Sequence, residues 1–365
     1  MRNQAERIVA VEAKHRVLFF CSVSSAIGIG HLKRCLALAD ALHTVHRVHC
    51  EFLLSVSEAQ LWALALIPPV FGVQSWALAT DDERGAAALA TYFRESARDI
   101  LVLDIYALTT PFLATLCDAG VPVVVIDDFA GVQSYPCAAI VNHHLHAPRL
   151  AYAAPSDTRC LFGPHYALVG VGFLQHRRRP DKAEPDVATR LLVTMGGADP
   201  NGATARILAA LRRMAASVRR RLHVQVILGP GYRGQNVLQN AVFARCDVIR
   251  HAPQMAKLMG QADVVISAGG GTLLELACVG TPSLVLAITR GQEMIGADWE
   301  AQGGMRYLGA WDAVDDFSIA SSTEEVLMNR DERLRLRERA QWLVDGRGAM
   351  RVADFIWQEM MKGDE

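Results

Sequence analysis

Short runs of aliphatic and β-branched residues recur along the chain, each followed by a stretch whose apolar positions return every three or four residues. The runs at 15–23, 48–54, 100–104, 121–126 and 138–141 predict one set of strands, and those at 190–195, 223–228, 248–250, 262–267 and 283–288 predict a second. Segments 32–43, 203–216 and 273–279 carry the helical period between them. Near-continuous apolar strands separated by helices belong to parallel sheets covered on both faces. The predicted fold class is therefore α/β, with two Rossmann-like domains facing a central cleft, where ligands of such sheets bind.

Between the two sets, residues 174–185 are polar and charged, with three consecutive arginines and two prolines. They predict a solvated linker. The expected division is a first domain over 1–173, a linker over 174–188, a second domain over 189–340 and a C-terminal helix over 341–365 that packs back on the first domain. The length of 365 residues suits two domains better than one core. One stretch, 60–80, carries no charge and approaches a bilayer's span, but Pro68-Pro69 breaks it. It predicts a helix ending near Ile67, a turn and a short buried strand.

Composition narrows the partners. The 37 basic residues are matched by 38 acidic ones, so no global field recruits nucleic acid or an anionic membrane, and neither is expected as a partner. An anion must be captured locally. The lean toward arginine over lysine, 32 to 5, reads as a coding bias. The eight cysteines form no Cys-x-x-Cys pair and several lie in apolar runs, which points to reduced thiols. With no secretory pattern at the N-terminus, a cytoplasmic location is expected. Two histidine groups, His43/His46/His49 and His143/His144/His146, lack the His-x-x-x-His spacing of helical zinc sites, so neither a metal nor a cofactor is expected.

The candidate chemistry lies where predicted strands end. The first strand runs into Gly28-Ile29-Gly30-His31, and a helix follows. Imidazole titrates near neutrality, and a neutral ring at a helix start beside the cleft can accept a proton. Asp104, Asp127 and Asp128 fall at carboxyl ends of two further strands; they either orient a sugar or hold His31, or else cap a helix and tie loops. In the second half a strand leads into Gly269-Gly270-Gly271-Thr272, then a helix carrying Glu275. That helix start can bind a diphosphate through backbone N–H groups without any basic side chain, or it is a plain tight turn. Glu275 can accept hydrogen bonds from ribose hydroxyls, or cap the helix. Loops at Gly229-Pro230-Gly231-Tyr232 and Arg290-Gly291-Gln292-Glu293 share the same rim. No Walker lysine and no Gly-x-Ser-x-Gly elbow is present.

Taken together, Gly28-Ile29-Gly30-His31-Leu32-Lys33-Arg34-Cys35, Asp104-Ile105-Tyr106, Ile126-Asp127-Asp128, Gly163-Pro164-His165-Tyr166-Ala167-Leu168, Met195-Gly196-Gly197-Ala198-Asp199, the Gly269–Glu275 segment, Gly291-Gln292 and Val344-Asp345-Gly346-Arg347-Gly348 resemble the UDP-sugar hydrolases of pseudaminic acid biosynthesis. Those enzymes are relatives of the peptidoglycan N-acetylglucosaminyltransferase and have the GT-B fold. The resemblance implies release of UDP from a UDP-linked diacetamido-trideoxyhexose by water attacking the anomeric carbon, independent of metal. It makes His31 the general base. Gly269, Gly270, Gly271, Thr272, Glu275, Gly229 and Gln292 would hold the nucleotide, and Gly28, Gly30, Tyr106, Asp127, Asp128, Gly197 and Asn201 would bind or support the sugar. The chain departs from the family at Ser22, where an aspartate is usual, and at Val169-Gly170-Val171-Gly172-Phe173. The sugar-facing half therefore leaves open a sister enzyme acting on another nucleotide sugar, or a GT-B glycosyltransferase with an unknown acceptor; a catalytically silent sugar-nucleotide-binding protein is a third reading, against which His31 and Glu275 argue.

Overall fold

The computed structural model describes residues 15–23, 28–55, 58–76, 82–105, 108–179, 183–197, 199, 201–232, 234, 242–250 and 252–361. Among these, the apolar runs form two sheets whose strands all pair in parallel. The first contains β1 (Arg16–Ser22), β2 (His49–Ser55), β3 (Gly72–Trp76), β4 (Ile100–Asp104), β5 (Val123–Ile126), β6 (Ala139–Asn142) and β7 (Arg159–Phe162). The second contains β8 (Arg190–Thr194), β9 (His223–Leu228), β10 (Arg245–Arg250), β11 (Val264–Ala268), β12 (Ser283–Ala287) and β13 (Arg306–Ala310). Their spatial orders, β3-β2-β1-β4-β5-β6-β7 and β10-β9-β8-β11-β12-β13, are the same winding used twice. In each sheet the order reverses beside the first strand, which opens a crevice between β1 and β4 and another between β8 and β11.

Helices cover both faces. In the first half they are α1 (Gly30–His46), α2 (Glu83–Glu95), α3 (Thr110–Asp118) and α4 (Val171–Gln175). In the second they are α5 (Ala203–Leu211), α6 (Ala216–Arg219), α7 (Met255–Gln261), α8 (Thr272–Val279), α9 (Arg290–Ala301), α10 (Asp316–Met328), α11 (Arg330–Leu343) and α12 (Gly348–Phe355). Alternate residues of β1 divide between two cores: Val17, Phe19 and Cys21 pack with α1, while Leu18 and Phe20 pack with α2 and α3. That two-sided burial is why its sequence reads as one unbroken apolar run. Among the described residues no helix is long and apolar enough to cross a membrane.

The departures from the sequence pattern have physical reasons. Strands β7 and β13 lie at sheet edges and are only partly buried, so neither carries a continuous apolar run. The strand expected to be buried after Pro68-Pro69 is β3, a largely exposed edge strand, and the helix before it is a 3₁₀ segment over Glu58–Leu66. The arginine run expected to be solvated is pinned instead. Arg177 donates to the carbonyls of Cys278, Gln341 and Val344, at the ends of α8 and α11, where helix carbonyls lack partners. Arg178 is buried and pairs with buried Glu184 at 3.0 Å, which also accepts from Arg337 at 3.1 Å.

Helix α12 returns to the first half. Val352, Ala353 and Ile356 join the core beneath α1, and Gly348 lies so close to Ala167 that a Cβ there would stand 2.3 Å from its backbone nitrogen. Arg351 secures the crossing by donating to the His165 carbonyl at 2.9 Å. Truncating Ile356 to alanine removes a fully buried side chain from this seam and is expected to destabilise the protein by about 2–5 kcal/mol in urea unfolding. A loss below about 0.5 kcal/mol, the range of ordinary surface substitutions, would mean that the helix is not integral to the first core.

Candidate functional site

The carboxyl ends of both sheets border one cleft of about 1990 Å³. Its first wall is made by the turn after β1 and by the ends of β4 and β5; its second by the loops after β8, β9, β11 and β12. The two glycine turns nearly touch. A Cβ on Gly197 would lie 3.5 Å from the Gly28 Cα, and Gly28 holds a left-handed φ of 72° that favours glycine.

His31 begins α1 and lines this cleft. Its Nδ1 lies 2.5 Å from Asp104 Oδ1. A carboxylate only accepts, so Nδ1 carries the proton and Nε2 is the ring's free acceptor. Asp104 ends β4 and is fully buried. Burial alone would raise its carboxyl, but the Arg34 guanidinium and His31 outweigh that and hold it well below the usual carboxylate range. Arg34 donates from Nε to Asp104 Oδ2 and from Nη2 to Oδ1, both at 2.7 Å, and from Nη1 to Asp128 Oδ1 at 2.6 Å. Asp128 is likewise held low: burial opposes its charge, and Arg34 and His144 favour it. An imidazole fixed by a buried carboxylate in this way can act as a general base, because the carboxylate orients the ring and offsets the charge it gains.

The two adjacent aspartates have separate environments. Asp127 accepts from the amides of Phe129 and Ala130 and from the hydroxyls of Tyr135 and Tyr152, so both its oxygens tie loops together. Asp128 faces Arg34 and His144. On the opposite wall, α8 starts at Thr272 after Gly269, Gly270 and Gly271, and the first N–H groups of a helix have no intrahelical acceptor. Gly269 is not available to a ligand in the same way, since its N–H donates to Gln292 Oε1 at 3.1 Å. That oxygen also accepts from Ile288 N, so Gln292 laces the glycine turn to the end of β12. Gly229 packs against the carbonyls of Gly196 and Gly197, which supports the turn after β8. Glu275 is buried, and burial pushes its carboxyl up against the opposing pull of Lys33. Its Oε1 lies 3.8 Å from Lys33 Nζ of the other wall, while Oε2 has no partner.

Most of the predicted site residues thus converge. Asn201 does not: it is exposed and donates to the Ile288 carbonyl, outside the cleft lining. Tyr106 lies outside the described residues. Arg34 is a site residue that the sequence pattern leaves unassigned, although its place one helical turn after His31 is a usable signal. The dismissed histidine group also reaches the cleft: His143 and His144 line it, and with Asp128 they offer ligand atoms within 4.8 Å of one another. The fit to a metal ion is poor, since the Arg34 guanidinium already occupies Asp128 Oδ1.

Residues 191–307 match the family described as Glycosyltransferase family 28 C-terminal domain. The chain is 26% identical over 261 residues to the spore coat polysaccharide biosynthesis protein SpsG of Bacillus subtilis (strain 168), covering 71% of this chain and 76% of that relative. It is similar in structure to MurG of Acinetobacter baumannii, with a TM-score of 0.63 at 14% identity over 94% of this chain and 99% of that one. It is similar also to the UDP-GlcNAc 2-epimerase from Neisseria meningitidis bound to UDP-GlcNAc, with a TM-score of 0.59 at 12% identity over 94% and 100% of the two chains. The fold is GT-B.

In this GT-B frame the buried Asp104 pair makes stability depend on acid. Because the carboxyl is depressed in the folded protein, its stabilisation is complete above the ordinary aspartate value of about 3.9 and is lost as pH falls below it. Replacing Asp104 by asparagine is expected to cost about 1.5–3 kcal/mol at neutral pH, because it removes charge-assisted bonds from the buried Arg34 and leaves Asp128 as its carboxylate partner. Measured by urea unfolding, the gap between wild type and Asp104→Asn should stay flat down to about pH 5 and narrow below about pH 4. A gap that widened on acidification would contradict the pairing.

Proposed function

We propose that this chain is a GT-B enzyme acting on a UDP-sugar, in which His31 deprotonates an acceptor hydroxyl that attacks the anomeric carbon and displaces UDP. The observation that carries the reading is the juxtaposition in one cleft of an Asp104-held imidazole and the open start of α8. The amides of Gly270, Gly271 and Thr272 would seat the diphosphate, and the unpartnered Glu275 oxygen would take a ribose hydroxyl. A diphosphate stabilised by fixed dipoles leaves readily, so the first wall needs to supply only a base. The family 28 match over the second half and the UDP-sugar named for the Neisseria epimerase support a UDP-sugar as the donor.

Transfer to an organic acceptor is favoured over hydrolysis by the first wall's composition. Leu66, Pro68, Phe71 and Trp76 line the cleft beyond His31, an apolar surface that water as acceptor would not require. Hydrolysis is the second reading, and it rests on the resemblance of the Gly28–His31 turn and its partner motifs to the pseudaminic acid pathway hydrolases. In both readings the bond from the anomeric carbon to the UDP oxygen breaks as the new carbon–oxygen bond forms, and His31 receives the proton.

Incubation with a panel of UDP-sugars, with and without alcohol acceptors and EDTA, tests this by following UDP and the sugar product. Wild type is expected to release UDP from at least one donor, faster with an acceptor than without. His31→Ala should lower kcat/KM by about 10²–10⁴-fold. UDP release that no acceptor accelerates selects hydrolysis. No release from any donor, or undiminished release by His31→Ala, overturns the reading.

A further inference from the structure

Arg34 has no part in the chemistry just described, yet its surroundings are the most completely specified in the cleft. It is 9% exposed and lies on α1 one turn after His31. Two of its donors grip both oxygens of Asp104 and a third reaches Asp128. The other contacts of Asp104 are His31 Nδ1 and the Cys35 thiol at 3.5 Å. Asp128 is also approached by His144 Nε2 at 3.3 Å. One guanidinium therefore joins two aspartate–histidine pairs, one ending β4 and one following β5.

Two consequences follow from that geometry. The planar fork fixes the plane of the Asp104 carboxylate, which a point-charge ammonium cannot do, and so keeps Oδ1 aimed at Nδ1. The charges are also unequal, since one cation faces two carboxylates, the buried Asp104 and the half-buried Asp128. Asp128 extends the connection toward the second half: the ring of its neighbour Phe129 lies against Gly291, where a Cβ would stand 2.8 Å from the ring. Gly291 precedes Gln292, the residue that holds Gly269.

We propose that Arg34 is the positioning residue of the base: it locks Asp104 so that His31 presents Nε2 to the acceptor, and it ties that alignment to the Asp128 loop that meets the second domain. This rests on the reading of His31 as the base. The charged and titratable groups facing the pair are Asp104 on β4, Asp128 after β5, His143 and His144 after β6, Cys21 on β1, Cys35 on α1 and the Lys33–Glu275 pair across the cleft.

The test is kcat and KM across pH for Arg34→Gln and Arg34→Lys beside His31→Ala, on whichever UDP-sugar wild type turns over, with thermal unfolding of each variant. Arg34→Gln is expected to lower kcat by about 100-fold with KM within about threefold. The acid limb of its kcat/KM profile should move to higher pH, because a cation 3.3 Å from the His31 ring has gone. Arg34→Lys should restore the limb but no more than about a tenth of kcat, since lysine keeps the charge and loses the fork; it decides the matter if Arg34→Gln fails to fold. A folded Arg34→Lys with kcat and acid limb both at wild-type values overturns the proposal, as does a loss confined to KM. If His31→Ala is itself fully active, the base reading falls; if it is inactive while the Arg34 variants behave as wild type, only this proposal falls.

Discussion

The constraint on which the site depends is the point in each sheet where the strand order reverses. At β1 and β4, and again at β8 and β11, neighbouring crossovers run to opposite faces, and the carboxyl ends are left uncovered. The chain places its polar groups there. His31 follows β1 and Asp104 ends β4; Gly197 follows β8 and Gly269-Gly270-Gly271 follow β11. One winding, used twice and turned face to face, brings a half-buried histidine and its buried aspartate opposite a helix start. Asp104 is held charged at zero exposure by the Arg34 fork and by His31, so the first wall is built around that cluster.

Much of this was legible in the chain because parallel strands buried on both faces leave continuous apolar runs. The runs at 100–104 and 223–228 coincide with β4 and β9. The catalytic candidate was legible for a related reason: Gly-x-Gly-His at the end of the first run places an imidazole at a sheet rim. What stayed hidden depends on distant partners. Arg34 looks like any charged residue on an exposed helix face until β4 supplies Asp104, seventy positions away. The arginines at 177 and 178 read as a solvated linker because nothing local reveals that they meet the ends of α8 and α11. Edge strands β7 and β13, half exposed, lose the signal that marks the central strands. Asp127 and Asp128 are adjacent in sequence but serve a loop and an ion pair respectively, a distinction that only geometry makes.

The two walls differ in how specifically they can be interpreted. The second wall, with a helix start, a buried carboxylate and Gln292 lacing the turn, suits a nucleotide diphosphate in general. The first wall carries what would separate one GT-B reaction from another, because a fold similar to both a rhamnosyltransferase and an epimerase cannot itself name the chemistry. There His31, the Arg34 fork and the apolar surface of Leu66, Phe71 and Trp76 meet within one cleft.

The central claim is a division of labour, with the nucleotide held by the second half and the base supplied by the first. Calorimetric titration of UDP into wild type, Glu275→Ala and His31→Ala measures it directly, without any knowledge of the sugar. The account predicts that Glu275→Ala weakens UDP binding by about tenfold or more, equivalent to about 1.4 kcal/mol, while His31→Ala stays within about threefold of wild type. Equal losses in the two variants, or no UDP binding by wild type, would contradict it.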